Sequence, residues 1–316
     1  MSGLPGDQDI VDFELKIGDP MTVVFANTLG LYSFNSKDAV TLYENEDKYV
    51  WGFVQLNSTQ ILIGFSKCVE LLDTLTGEVK PIAGPLYCNE SSAVDGIGSE
   101  ATFWAITDIH QDIKDLNQVI IIDVGKSLRM LALDTANVTT VAVLDPSPIM
   151  PQDIAQQPST GDIFIAHSQG ILKISYTDYS TQPVIEYTSW GGFVLGSFED
   201  ALMHGPNGLV FLEDHIILVT EWGNSRLRLL DLQSQAANIS LCTGEIQVSA
   251  LGNHTHCAIY NPTAILKVDG EVYISASNSS ASERTIFALK REDIKSECKY
   301  TIVLHDTCTS ITWKQH

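Results

Sequence analysis

Residues 206–232 read PNGLVFLEDHIILVTEWGNSRLRLLDL. An apolar stretch, a short polar break, a second apolar stretch, a turn and a third apolar stretch follow one another. That is the pattern of three strands joined by tight turns. The runs are of strand length, and Glu, Asp, Gly and Asn bound them. Weaker copies recur along the chain, so this stretch decides how the rest is read.

Outward from it, the same unit is found five more times. The first copy is DFELKI (12–17), TVVFAN (22–27), GLYSFN (30–35) and AVTLYE (39–44), with turns at Gly18, Asp19 and Pro20 and at Asn35 and Ser36. The second is WGFVQL (51–56), QILIGF (60–65), CVELLD (68–73) and VKPIAG (79–84). FWAITDI (103–109), QVIIIDV (118–124), SLRMLALD (127–134) and VTTVAVL (138–144) form the third. The fourth is PQDIAQQ (151–157), GDIFIAH (161–167), GILKISY (170–176) and PVIEYTS (183–189). The opening stretch, with a fourth strand near 238–242, is the fifth. The sixth is PTAILKV (262–268), EVYISAS (271–277), RTIFALK (284–290) and YTIVLHD (300–306). First strands thus begin near 12, 51, 104, 152, 207 and 263.

A four-strand repeat of about 40–55 residues predicts an all-β fold, a six-bladed β-propeller of four-stranded blades. Each sheet buries its faces only against its neighbours, so the ring must close. Two segments compete to close it: the tail SITWKQH (310–316), which is favoured, and DFELKI. Residues 1–10 are expected to be a flexible lead, with Met1 an added start, and 11–316 a single propeller domain.

The formal charge of −21 repels phosphate backbones and argues against a nucleic-acid partner. It serves solubility, or it attracts cations or a basic partner. No apolar run approaches the ~18 residues of a membrane helix. Cys68, Cys88, Cys242, Cys257, Cys298 and Cys308 fall into three close pairs. Fifteen connectivities are open on sequence alone; loop closure favours 68–88, 242–257 and 298–308. Zinc ligation is the rival, and it wants CxxC spacing, which is absent. Sequons stand at Asn57, Asn89, Asn137, Asn238, Asn253 and Asn278. Paired cysteines and sequons together predict a glycosylated chain in an oxidising compartment: secreted, or the extracellular domain of a surface protein.

The fifth unit resembles an NHL repeat of the extracellular type. Pro206, Gly208, Leu209, Glu221, Asn224, Arg226 and Leu227 carry the likeness, Glu221 stands where Asp is usual, and Arg228 also fits. In the third unit, Asp95-Gly96-Ile97-Gly98-Ser99-Glu100-Ala101-Thr102-Phe103 resembles the loop between NHL blades. Asp123 and Arg129 match the later motif, and Lys126 replaces Asn. The sixth keeps Asn261, Pro262, Ala264, Ile265, Asp269, Gly270 and Tyr273, with Cys257 placed to clasp neighbouring blades. The other units match by strand pattern alone. Turn glycines and asparagines supply positive φ. The charged motif residues Glu221, Asn224, Arg226, Asp123 and Arg129 read as structural, pairing across a hairpin or capping its turn.

The resemblance suggests two enzymes to test. A zinc-dependent peptidyl-amidoglycolate lyase would start its inner strands with histidines; Ala105, Gln152, Asn207 and Thr263 stand there instead. His204, His110, His167 and His215 fall nearby or at strand ends, and His254 and His256 flank a sequon. A calcium-dependent lactonase would need several oxygen ligands, for which Asp153, Asn207 and Glu221 are on offer. No G-x-S-x-G nucleophile motif is present, and IIDV and VTEW replace the YWTD of low-density-lipoprotein-receptor propellers. The reading that remains is a recognition module for an extracellular protein or small ligand. Its candidate face comprises Trp51, Trp104, Asp153, Asn207 and His204 at the starts of inner strands, with variable loops such as 197–205 between blades. A metal-dependent lyase or hydrolase in the central channel is the alternative. No cofactor is called for, a structural calcium ion in the channel aside.

Overall fold

The computed structural model describes residues 10–15, 23–27, 30–34, 39–45, 48–88, 92–124, 127–144, 150–168, 170–185, 192–241, 261–268, 271–277 and 284–290. Apart from one 3-10 turn at Gly98–Glu100, its regular elements are strands. No helix among the described residues is long and apolar enough to cross a membrane.

The described strands form six sheets. The first orders Ile10–Leu15, Val23–Asn27, Gly30–Phe34 and Ala39–Glu44 side by side, and the second Val50–Gln55, Gln60–Phe65, Val69–Asp73 and Val79–Ala83. The third runs Ile106–Gln111, Gln118–Asp123, Ser127–Ala132 and Asn137–Val143, and the two-residue strand Gly96–Ile97 lies on its outer edge. Pro151–Gln156, Ile163–His167, Gly170–Ile174 and Thr181–Ile185 make the fourth. The fifth repeats the third: Pro206–Glu213, Ile216–Glu221, Arg226–Asp231 and Ala236–Leu241, edged by Gly196–Ser197. The sixth shows Ile265–Val268, Glu271–Ser277 and Arg284–Lys290. By contact, the chain divides into two compact units. One runs within 8–164 and 174–182, the other within 165–173 and 183–316.

The pairing of DFELKI is now defined. Ile10–Leu15 lies antiparallel to Val23–Asn27 and supplies the first sheet's first strand, with Phe13 opposite Phe25. The tail 310–316, favoured for that place, lies outside the described residues, as does 300–306. The short edge strands at 96–97 and 196–197 were not foreseen, because two residues carry no alternation.

Burial explains the strand patterns. Val119, Ile120, Ile121 and Ile122 are all fully buried. A strand covered on both faces reads as a continuous apolar run. Asn137–Val143 mixes buried, half-buried and exposed residues. Between the second and third sheets lies a core that includes Leu62, Val69, Phe103, Ile109, Ile121 and Leu131. In the other unit Leu218, Leu227 and Ile274 join the fifth sheet to the sixth.

Cys68 and Cys88 form a disulfide across 20 residues. Gly84 makes the close approach beside it: at φ +100°, a Cβ there would sit 2.6 Å from the Lys67 carbonyl oxygen and 2.8 Å from Cys68 Cα. Replacing both cysteines by Ser should cost about 3 kcal/mol through the freed loop. Urea unfolding with and without reductant checks this, because the variant's midpoint should no longer respond to reductant. Cys242, Cys257, Cys298 and Cys308 lie outside the described residues.

Candidate functional site

In the unit of residues 8–164, the first strands of the second, third and fourth sheets start at one end. Ile106 N–H donates to Ser66 O, in the turn that follows the partner of Val50 (2.7 Å). Farther along, Asp108 Oδ2 accepts from Ile154 N–H (3.0 Å), which sets the strand of the fourth sheet beside that of the third. Gly52 makes room for this carboxylate, since a Cβ there would meet Asp108 Oδ1 at 2.8 Å. Around these strand starts, large side chains face solvent. Trp104 is 53% exposed, Trp51 37%, Tyr49 53% and Met150 61%. Asp153, half-buried, accepts from the N–H of Ile154.

Trp104 is held from beneath. The Asp123 carboxylate, fully buried, accepts from Trp104 N–H (3.0 and 3.2 Å) and from Ala105 N–H (2.9 Å). Arg129, also fully buried, donates through Nη1 to Asp123 Oδ2 (3.2 Å) and Thr102 O (2.8 Å). Its Nη2 donates to Val94 O (2.8 Å) and Asp95 Oδ1 (2.9 Å). The guanidinium stacks 5.0 Å from the Phe103 ring centre. One fork of donors therefore ties the loop 94–105 to the sheet, and the paired acid orients the backbone of an exposed tryptophan. The Asp95 carboxyl, which also accepts from Thr140 N–H and Oγ1, is held below the usual carboxylate range by those bonds and by Arg129, against its partial burial.

The other unit contains the same device. Glu221 and Arg228 are fully buried and paired through Oε1 and Nε, and Arg228 Nη1 donates to Val194 O (2.7 Å). Glu221 Oε2 accepts from Asn224 Nδ2 (2.5 Å) and from His204 N–H (3.4 Å). His204, exposed, thus stands where Trp104 stands in its sheet. Arg226 lies opposite Glu221 in the ladder, and its guanidinium stacks 3.9 Å from the Phe193 ring centre. Arg228 is the residue that meets the acid. Register explains this: Arg129 is opposite Ile121, two residues before Asp123, and Arg228 is opposite Val219, two before Glu221.

The loop 194–205 repeats several of the backbone bonds of 94–105. Val94 bridges Thr102 as Val194 bridges Leu202. Gly96–Ile97 pairs with Asn137–Val138 as Gly196–Ser197 pairs with Ala236–Ala237. Gly98 N–H donates to Ala136 O, Phe198 N–H to Gln235 O, and both acceptor residues have positive φ, 54° and 51°. This backbone pattern is common to the third and fifth sheets, while the side chains of the two loops differ. Asn207 is half-buried beside Gly208, whose N–H donates to Thr220 Oγ1 (2.7 Å).

Sequence reading took 111–117 for a charged loop and missed a buried acid within it. Asp112 accepts from Lys114 N–H (2.8 Å), Gln156 Nε2 (3.0 Å) and Tyr176 Oη (2.8 Å). Burial, and then the Asp112 carboxylate, push the Tyr176 phenol well above its ordinary value. Among the described residues no group of histidines lies close enough together to share an ion. His110 Nε2 and His167 Nδ1, in separate units, are buried without a hydrogen-bond partner. Burial lowers both imidazoles to about 4; Asp112 opposes this weakly at His110. Among the described residues, Cys68, Glu70 and Cys88 lie close enough together to share an ion. Their two sulfurs are bonded to each other, and Lys48 Nζ holds Glu70. Of the sequon residues, Asn57 is exposed at a turn and Asn137 half-buried, while Asn238 lies in a strand. Asn89, Asn253 and Asn278 lie outside the described residues.

No protein-family model matches the sequence, and no curated protein matches it either. Solved structures do. An auxiliary nutrient binding protein from Bacteroides thetaiotaomicron aligns with TM-score 0.66 and 12% identity over 89% of this chain and 69% of its own. A protein of unknown function from the same organism gives 0.67 and 14%, over 89% and 70%. A chain of a nidogen/laminin complex gives 0.57 and 11%, over 85% and 89%. These are β-propeller-like structures, and this chain shares that all-β fold.

Proposed function

We propose that this chain is an extracellular recognition module, an NHL-like six-bladed β-propeller of four-stranded blades formed by residues 11–316 as one domain. It binds its partner with the rim where inner strands begin. The observation that carries this reading is the exposure of Trp51 and of Trp104, the latter on a backbone fixed by Asp123 and Arg129. Rigid aromatics at a surface give contact area at small entropic cost, and such residues dominate binding energies. Two of the similar structures point the same way, one described as nutrient binding and one solved as a complex. The formal charge of −21 favours a partner with a basic rim and should make association salt-dependent.

The test uses the secreted chain and a Trp51→Ala/Trp104→Ala variant. Both are applied to arrays of purified extracellular matrix proteins and of glycans. The wild-type chain should bind a defined subset. The variant should bind that subset at least about 30-fold more weakly, the effect of losing one strong hot spot, with an unchanged unfolding midpoint. Equal binding by both chains would place recognition elsewhere, and no binding by the wild-type chain would sink the reading.

A further inference from the structure

A groove of about 430 Å³ opens between the second and third sheets of the unit 8–164, away from the aromatic rim. Its lining is aliphatic: Leu56, Leu62, Leu71, Ile82, Leu116 and Leu133, with Gln60 and Gln111. Its volume falls in the range of small-ligand sites, roughly 300–1,000 Å³. Leu116 is 66% exposed, and Leu56, Leu71, Ile82 and Leu133 are only partly buried. So much clustered leucine facing water calls for a cover.

The sequon at 57–59 lies on the groove's edge. Asn57 is exposed in the turn between Val50–Gln55 and Gln60–Phe65, flanked by the lining residues Leu56 and Gln60. Its Oδ1 accepts from Thr59 N–H (3.0 Å), Thr59 Oγ1 (3.1 Å) and Gln60 N–H (3.0 Å), which fixes the side chain. Its Nδ2, the atom that carries sugar in an N-glycan, lies 2.7 Å from Gln60 Oε1. The amide is therefore aimed at the groove's own border.

We propose that Asn57 is N-glycosylated and that the first sugars of this glycan lie in the leucine groove and cover it. A pyranose ring has an apolar C–H face, which the leucines would take out of water. Its polar edge would meet the amides of Gln60 and Gln111. The glycan is tethered at the border, so the contact is intramolecular and avoids most of the entropy cost of bimolecular association. The inference rests on the extracellular reading above but not on the aromatic rim.

The test compares four full-length chains secreted from mammalian cells: wild type, Asn57→Gln, Thr59→Ala and Asn137→Gln. Peptide mass spectrometry reads occupancy, and fluorescence of anilinonaphthalene sulfonate reads exposed apolar surface. Wild type should carry glycan at Asn57 and bind little dye. Both variants that abolish this sequon should bind several-fold more while still unfolding in one cooperative transition, at midpoints that are only modestly lower, and Asn137→Gln should not bind more. Trimming wild type to a single residual N-acetylglucosamine should leave dye binding low. Three results would overturn the proposal: Asn57 bare while other sequons are occupied, an occupied Asn57 whose loss leaves dye binding unchanged, or a fatty acid co-purifying in the groove. Bare asparagines at every sequon would overturn it together with the extracellular reading.

Discussion

Arg129→Ala should destabilise the unit 8–164 by about 3–5 kcal/mol, the range for removing one partner of a buried ion pair. Both members are fully buried, so once the guanidinium is gone the Asp123 carboxylate keeps its backbone N–H donors but has lost the charge that balances it out of water. The loss extends past that pair. Thr102 O and Val94 O each lose one donor, keeping the backbone bonds between them, and the loop 94–105 loses one of its ties to the sheet. Asp95, about half exposed, adds little, because an exposed partner is well solvated without its arginine. Arg129→Lys should recover only part of the stability, since one ammonium cannot serve four acceptors set as a fork. Changing both partners, Asp123→Leu with Arg129→Met, should be milder than Arg129→Ala in electrostatics, yet it orphans the N–H groups of Trp104 and Ala105. Urea unfolding of the singles and the double closes the cycle. The amide of Trp104 should exchange with solvent faster in each variant. A cost below about 1 kcal/mol for Arg129→Ala would show that the cluster does not hold the loop.

How much of this was legible follows from the range of each interaction. Strands were legible because period-two and fully apolar runs are local; QVIIIDV and HIILV read as strands and are strands. The nearest-neighbour pairing of Cys68 with Cys88 was legible for the same reason, as a short loop closes easily. The partner of Glu221 was less so. The turn from Asp123 to Ser127 spans three residues, and that from Glu221 to Arg226 spans four. A motif read by spacing from the acid therefore slides by one residue between the two sheets and favours Arg226 over Arg228. Counting back from the third strand's core leucines would have aligned Arg129 with Arg228. The link between the buried acids and the rim was illegible, because it joins Asp123 to the backbone of Trp104, 19 residues earlier, whatever side chain stands there. Trp104 and Asp123 were both singled out, for different reasons, and the fold makes them one arrangement. The identity of loops 94–105 and 194–205 was hidden likewise: their shared bonds are backbone bonds, and few side chains agree.

Acidification from pH 7 to pH 4 should remove several kcal/mol of stability, and two histidines should account for most of it. His110 and His167 are buried neutral, with pKa values lowered from 6.5 to about 4 by loss of solvent. Between those limits the unfolded chain binds protons at these sites and the folded chain does not. Unfolding then takes up protons, so stability rises with pH across this window. It is fully present above about 6.5 and is lost as pH falls toward 4. Each histidine contributes up to about 3 kcal/mol by this linkage. The lowered carboxyl of Asp95 acts in the same direction but in a lower window, because its contribution is lost only below its ordinary value of 3.8. The two effects separate on the pH axis. In His110→Gln and His167→Asn, unfolding midpoints in urea should lose about half of the slope between pH 6.5 and 4, and in the double variant nearly all of it. Because His110 and His167 belong to different units, the two changes should add. An undiminished slope in the double variant would mean that both imidazoles reach water in the folded protein, and acid sensitivity would then have to come from the carboxylates alone.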